Sequence, residues 1–149
     1  MEPLAPGSAA PTTPSFDPSE GPKVLFFYKV TCPTCQMAAP KVQSYEDAYP
    51  GRILGVGQDP KDNLLAFSRQ FGMTFRSVPD VPPYDISNQW GIRVVPTTFL
   101  VEGDTVVDTV ESWDRDGLNG FSKRLADMTG SAYRQVSDPG DGLPPFRPG

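Results

Sequence analysis

The chain has 149 residues, a formal net charge of −5, 18 prolines, two cysteines and no histidine. That length fits one domain, and the missing histidine excludes Ser-His-Asp and Cys-His hydrolase chemistry and every histidine-liganded metal site. The acidity belongs mostly to the ends, with −3 in residues 1–22, −1 in residues 137–149 and only −1 between them, so no polyanion-binding surface and no nucleic-acid partner are expected.

Six prolines fall in residues 1–22 and four in residues 137–149. Neither end has hydrophobic periodicity, so both read as Pro-rich, extended or disordered tails around a domain of residues 23–136. No run approaches the length of a membrane span. The first residues have neither a basic n-region nor an apolar h-region, which reads as cytoplasmic. The alternative is an exported protein seen without its signal.

Val24 to Val30, rich in β-branched and aromatic residues, reads as a buried strand that includes Phe26, Phe27 and Tyr28 as core. Beyond Cys35, Ala38, Val42, Tyr45 and Tyr49 recur at helical spacing, with Pro40 inside the helix and Pro50-Gly51 ending it. Ile53 to Gly57 reads as a second strand. Asp59-Pro60 opens a helix carrying Leu64, Phe67 and Phe71 that Gly72 ends, with Asp59 as its expected cap. Strand-helix-strand-helix implies a right-handed parallel crossover. Thr74 to Val78 forms an expected extra strand, and Ser87 to Gly91 a helical turn. Val94 to Val101 and Thr105 to Val110, joined by Glu102-Gly103-Asp104, read as an antiparallel hairpin. A last helix carries Leu118, Phe121, Leu125 and Met128, capped by Asp114 or Asp116 and ended by Gly130. The expected fold class is α/β: one central mixed sheet flanked by helices.

The chemistry concentrates at Cys32-Pro33-Thr34-Cys35, where the first strand gives way to the first helix. A thiol at a helix N-terminus meets unpaired backbone N–H groups and the positive end of the helix dipole, which stabilise a thiolate. Pro33 suits the first helical turn. Cys35, nearly one turn later, is expected on the same side and deeper. Such a pair can exchange with disulfides, Cys32 attacking and Cys35 resolving. Zinc half-sites and inert pairs share the spacing.

The chain here resembles the thioredoxin superfamily. The superfamily places a strand, C-x-x-C and a helix with a proline five residues past the second Cys, as Pro40 stands here. It also carries a later Gly-Ile-Arg-x-x-Pro-Thr segment, matched by Gly91 to Thr97. The resemblance implies that Pro96 is cis and packs against the dithiol. It also implies that Val95, Pro96 and Thr97, with Pro33 and Thr34, shape a substrate groove. The stretch from Asp59 to Trp90 resembles the helix-strand insertion of the redoxin branch, which holds TlpA-like thiol-disulfide oxidoreductases and AhpC/TSA peroxiredoxins.

Departures accompany the match. Where peroxiredoxins carry Pro and Thr ahead of the peroxidatic Cys, this chain has Leu25 and Lys29. The buried Asp of many thioredoxins is Phe26, the Glu of TlpA-like relatives is Ala38, and the usual Trp before the motif is replaced by Val30-Thr31. Lys29 reads as a solvated strand-end cation that could also help the thiolate. Trp90 and Trp113 read as packing residues, with a groove lining as the other option.

The resulting expectation is a monomeric thiol-disulfide oxidoreductase with Cys32 and Cys35 as catalytic residues. No cofactor or metal is implied. Its partners would be a protein or small-molecule disulfide and an upstream thiol donor. The alternatives are a thiol peroxidase of the AhpC/TSA type, or a non-catalytic binding module or Cu(I) carrier using the same two thiols.

Overall fold

A computed structural model describes residues 2–149; Met1, the first residue of the expected N-terminal tail, lies outside the described residues. The elements are β1 (Lys23–Tyr28), α1 (Pro33–Ala48), β2 (Ile53–Gly57), α2 (Lys61–Phe71), β3 (Ser77–Pro79), α3 (Asp85–Trp90), β4 (Thr97–Glu102), β5 (Thr105–Glu111), β6 (Trp113–Asp114), α4 (Arg115–Thr129) and β7 (Phe146–Arg147). Five strands form one mixed sheet in the order β3-β2-β1-β4-β5. β1 runs parallel to β2, and β2 to β3, while β4 is antiparallel to both β1 and β5. The fold is thioredoxin-like, as the α/β expectation and its redoxin-type insertion required.

β1 is central and buried on both faces, which is why it reads as a continuous apolar run. Its side chains alternate between two cores. Val24, Phe26 and Tyr28 join α1, α2 and α4 residues such as Val42, Tyr45, Phe67, Leu118 and Phe121. Leu25 and Phe27 face the other way, toward Trp90, Phe99, Val101 and Val106.

That second face explains why residues 2–22, read as an extended or disordered tail, lie packed along the domain. The six-residue helix α3 is too short to cover the sheet alone. The N-terminal segment supplies the missing cover: Phe16 is buried in this core, with Leu4 and Ala10 packed against it. The segment is extended, as read, but it is pinned by backbone bonds from Leu4 N–H to the Trp90 carbonyl (3.2 Å) and from Gly7 N–H to the Val106 carbonyl (2.8 Å). Trp90 Nε1 donates to Thr13 Oγ1 at 2.9 Å. Trp90 is thus a packing residue, fully buried.

The second terminal segment is also laid down. Val136 and Ser137 are buried, and Asn119 Oδ1 accepts from both of their N–H groups at 2.8 and 3.0 Å. Arg115, nearly buried, donates to Ser137 Oγ (3.0 Å) and to the Leu143 carbonyl (2.7 Å). Lys41 of α1 reaches Asp141 at 3.1 Å. Side-chain hydrogen bonds from the domain, not apolar periodicity, order this stretch, so its composition gave no sign of it.

Smaller differences have local causes. β3 begins at Ser77, not Thr74, because the Thr74 N–H is taken by Gln43 Oε1 of α1 at 2.8 Å. β4 begins at Thr97 because Pro96 before it has no N–H to offer a ladder. Asp114 caps α4 through Gly117 N–H at 3.2 Å, and Gly72 and Gly130 close α2 and α4 in the left-handed conformation.

Candidate active site

The turn after β1 is built by backbone and side-chain bonds that fix where α1 begins. Asp59 Oδ2 accepts from Val30 N–H at 2.9 Å, and Gln36 Nε2 donates to the Val30 carbonyl at 2.9 Å. Asp59 therefore does not cap α2, whose N-cap is Pro60 with no side-chain bond. It ties β2's end to the loop that carries the dithiol. Cys32 N–H donates to the Lys29 carbonyl at 3.1 Å, closing that loop.

Cys32 is the N-cap of α1, half-buried, with Pro33 at the first helical position. Its Sγ accepts from Cys35 N–H at 3.2 Å and lies 3.4 Å from the Val95 carbonyl oxygen. Cys35 is fully buried in the core beside Ala38 and Ala39. Both thiols are free. The one-turn spacing sets them at two depths along one helix face.

Their acidities are driven apart. The hydrogen bond from the Cys35 thiol pulls Cys32 down to about 6, against the effect of partial burial, with the Cys35 and Thr34 N–H groups and the Arg147 guanidinium adding to it. Burial pushes the Cys35 thiol far up, and its bond to Cys32 and the Asp59 charge push the same way. One sulfur is thus a thiolate at neutral pH while the other is a protonated donor beside it.

The cis Val95–Pro96 loop faces this pair across the site. Thr97 Oγ1 donates to the Val94 carbonyl at 2.8 Å, and Ser112 N–H donates to the Pro96 carbonyl at 2.7 Å, holding the loop from both sides. Of the residues expected to shape a groove, Val95 places its carbonyl beside Cys32, whereas Pro96 is buried behind it and Thr97 is fully buried in β4. Pro33 is exposed. Thr34 is buried, its hydroxyl donating to the Pro148 carbonyl at 2.8 Å.

Lys29 lies over the Tyr84 ring, 5.8 Å from its centre. Arg147, in a segment read as an extended or disordered tail, adds a positive charge that favours the Cys32 thiolate. Trp113 is fully buried beneath that segment and donates from Nε1 to the Pro144 carbonyl at 2.7 Å. Among the described residues, no group of three His, Cys, Asp or Glu side chains is placed to hold a metal ion. No helix among them is long and apolar enough to cross a membrane.

The model of the AhpC/TSA family matches residues 11–110, a span holding the sheet, the dithiol and the cis-proline loop. The chain belongs to the AhpC/TSA family. It is similar to the thiol:disulfide interchange protein DsbE of Xylella fastidiosa (strain 9a5c), with 25% identity over 92 residues, 61% of this chain and 47% of that protein. The chain spans about half the length of the curated relatives it matches. Among solved structures, Mycobacterium tuberculosis DsbF, in mixed oxidised and reduced forms, superposes with a TM-score of 0.60 at 26% identity, covering 70% of this chain and 80% of that one. The thioredoxin domain of a thiol-disulfide oxidoreductase from Bacteroides vulgatus gives a TM-score of 0.67 at 18% identity, covering 82% and 98%. Membership of the AhpC/TSA family accounts for the insertion between β2 and β4 that the sequence resemblance picked out.

Proposed function

We propose that this AhpC/TSA-family chain is a dithiol oxidoreductase that reduces or exchanges protein disulfides through Cys32 and Cys35. The observation that carries this reading is the split between the two thiols. Cys32 is half-exposed and held at about 6, while Cys35 is buried and held far above its ordinary range.

In the forward direction the Cys32 thiolate attacks one sulfur of a substrate disulfide. A Cys32–substrate S–S bond forms, the substrate S–S bond breaks, and the departing sulfur takes up a proton from solvent. The Cys35 thiol then gives up its proton and attacks Cys32 Sγ. The Cys32–Cys35 disulfide forms, the second substrate sulfur leaves as a thiol, and two electrons have passed to the substrate. A thiol donor returns them in the next cycle. In this reading the Val95 backbone borders the substrate beside Cys32, with Pro96 behind it, and Pro33 lies on the exposed rim. Thr97 and Thr34 act from beneath.

Mutation separates the two thiol roles. Cys32→Ser is expected to abolish reduction of a protein disulfide. Cys35→Ser is expected to accumulate a mixed disulfide with the substrate. A Cys32→Ser protein that kept full activity would remove Cys32 from the mechanism. Family membership brings the thiol peroxidase alternative into the same experiment. The positions ahead of Cys32 hold Leu25, buried in the second core, and Lys29, engaged with Tyr84. Neither offers a hydroxyl to peroxide, so the reduced protein is expected to consume disulfide much faster than hydrogen peroxide.

A further inference from the structure

The segment after Leu143 crosses the dithiol. Pro144 and Pro145 carbonyls accept from Trp113 Nε1 (2.7 Å) and from Arg115 N–H (3.0 Å). Phe146 and Arg147 then pair antiparallel with Asp114 and Trp113. The Pro148 carbonyl accepts from Thr34 Oγ1 at 2.8 Å, and Gly149 N–H donates to Ser112 Oγ at 3.1 Å. Gly149 lies so close to the Val95 backbone that a Cβ there would collide with the Val95 carbonyl. That carbonyl is the one 3.4 Å from Cys32 Sγ. The segment therefore bridges Thr34 on the helix side and Val95 on the loop side, the two flanks of the reactive sulfur.

The way it is held differs from the anchor that precedes it. Up to Leu143 the stretch is fixed by buried Val136 and Ser137 and by the Arg115–Asp141–Lys41 charges. From Pro144 onward every residue is exposed, with Phe146 at 55%. What remains is an extended backbone bound by hydrogen bonds, with little apolar burial to lose on release. Any other extended backbone can satisfy the same partners by adding a strand to Trp113–Asp114. A polypeptide whose disulfide reaches Cys32 must also pass between Thr34 and Val95, and the two cannot share that space.

We propose that Phe146–Gly149 is an internal competitor seated in the substrate-strand position beside Cys32, and that a substrate polypeptide enters by displacing it and pairing with Trp113–Asp114. This inference rests on the disulfide-exchange reading for its biological meaning. The geometry of displacement can be tested without it.

The test compares the full chain with Gly149→Val, which forces the segment off Val95, and with a chain shortened after Pro145. Cys32 is alkylated by iodoacetamide, a small probe, and by a maleimide carried on a short unstructured peptide, a large one. Both reactions are run at about pH 8, where Cys32 is fully thiolate and loss of Arg147 changes little. If the segment is seated nine-tenths of the time, releasing it speeds the large probe about tenfold. The small probe is expected to change far less. Equal large-probe rates in all three proteins, within about twofold, would overturn the proposal. Faster large-probe labelling without turnover of a peptide disulfide in any of the three would keep the competitor and reject the exchange reading.

Discussion

The raised acidity of Cys32 has a consequence that depends on pH in both sign and size. With Cys32 held at about 6, roughly 90% is thiolate at pH 7, against about 3% for an unperturbed thiol near 8.5. Nucleophilicity falls with basicity, and a Brønsted slope of about 0.4–0.5 over about 2.5 units makes each thiolate roughly 10–18 times less reactive. The net advantage over free cysteine at pH 7 is therefore only about two- to threefold. At pH 5.5 about a quarter of Cys32 is ionised against about a thousandth of free cysteine, and the net advantage grows to about 15-fold or slightly more. At pH 9 it reverses, and Cys32 is about tenfold slower. The assay is the second-order rate with a small aromatic disulfide, followed by its released thiolate from about pH 5 to about pH 9. The inflection is expected near 6, crossing the free-cysteine curve between about pH 7 and about pH 8. The perturbation that tests the cause is Cys35→Ala, which removes the thiol hydrogen bond that lowers Cys32 most. Its inflection is expected to move up, while Cys35→Ser, which keeps a donor, leaves it low. An inflection near 8.5 in the native protein, or one that Cys35→Ala does not move, would refute the reasoning.

Because Cys32 is depressed only in the folded reduced protein, it stabilises that form. The contribution is full above the unfolded thiol's range near about 8.5 and disappears as pH falls through about 6. Urea midpoints of the reduced native protein, relative to Cys32→Ser, are expected to rise from about pH 6 to about pH 9; a flat difference would count against the shift. Phe16→Ala should cost about 3 kcal/mol in denaturant unfolding, because the ring fills the second core. A disordered tail would lose nothing. Tyr49→Phe should cost about 1–3 kcal/mol, since its hydroxyl accepts from Arg134 N–H at 3.0 Å and contacts Ser122 Oγ at 2.9 Å in the buried seam between α1 and α4. An unchanged midpoint would mean that water replaces it there.

What was legible in the sequence is the part fixed by periodicity and punctuation. Val24 to Val30, the Ala38–Tyr49 face and the hairpin around Gly103 carried their element types plainly, and Cys32 stood where a strand met a helix. The Gly91-to-Thr97 match located the cis-proline loop that faces Cys32. What stayed hidden was held by side chains reaching across long sequence separations. Asp59 read as a helix cap, yet it bonds Val30, 29 residues away. Arg147 and Pro148 carried no pattern, because their order comes from Trp113, Arg115 and Thr34. Residues 2–22 read as an extended or disordered tail because their proline content is high and they lack hydrophobic periodicity. Only the uncovered Leu25–Phe27 face of β1 reveals why Phe16, Leu4 and Ala10 are needed. Counting how much helix was available for each sheet face would have pointed to it.

The central claim is that Cys32 and Cys35 form a working dithiol. Its most direct test is a glutathione redox titration of the full chain, read by alkylating free thiols and resolving the products by mass. The account predicts one reversible two-electron transition in which both thiols disappear and return together, and which Cys32→Ser abolishes. A pair that stays reduced, or stays oxidised, across the whole range of glutathione poise would contradict it.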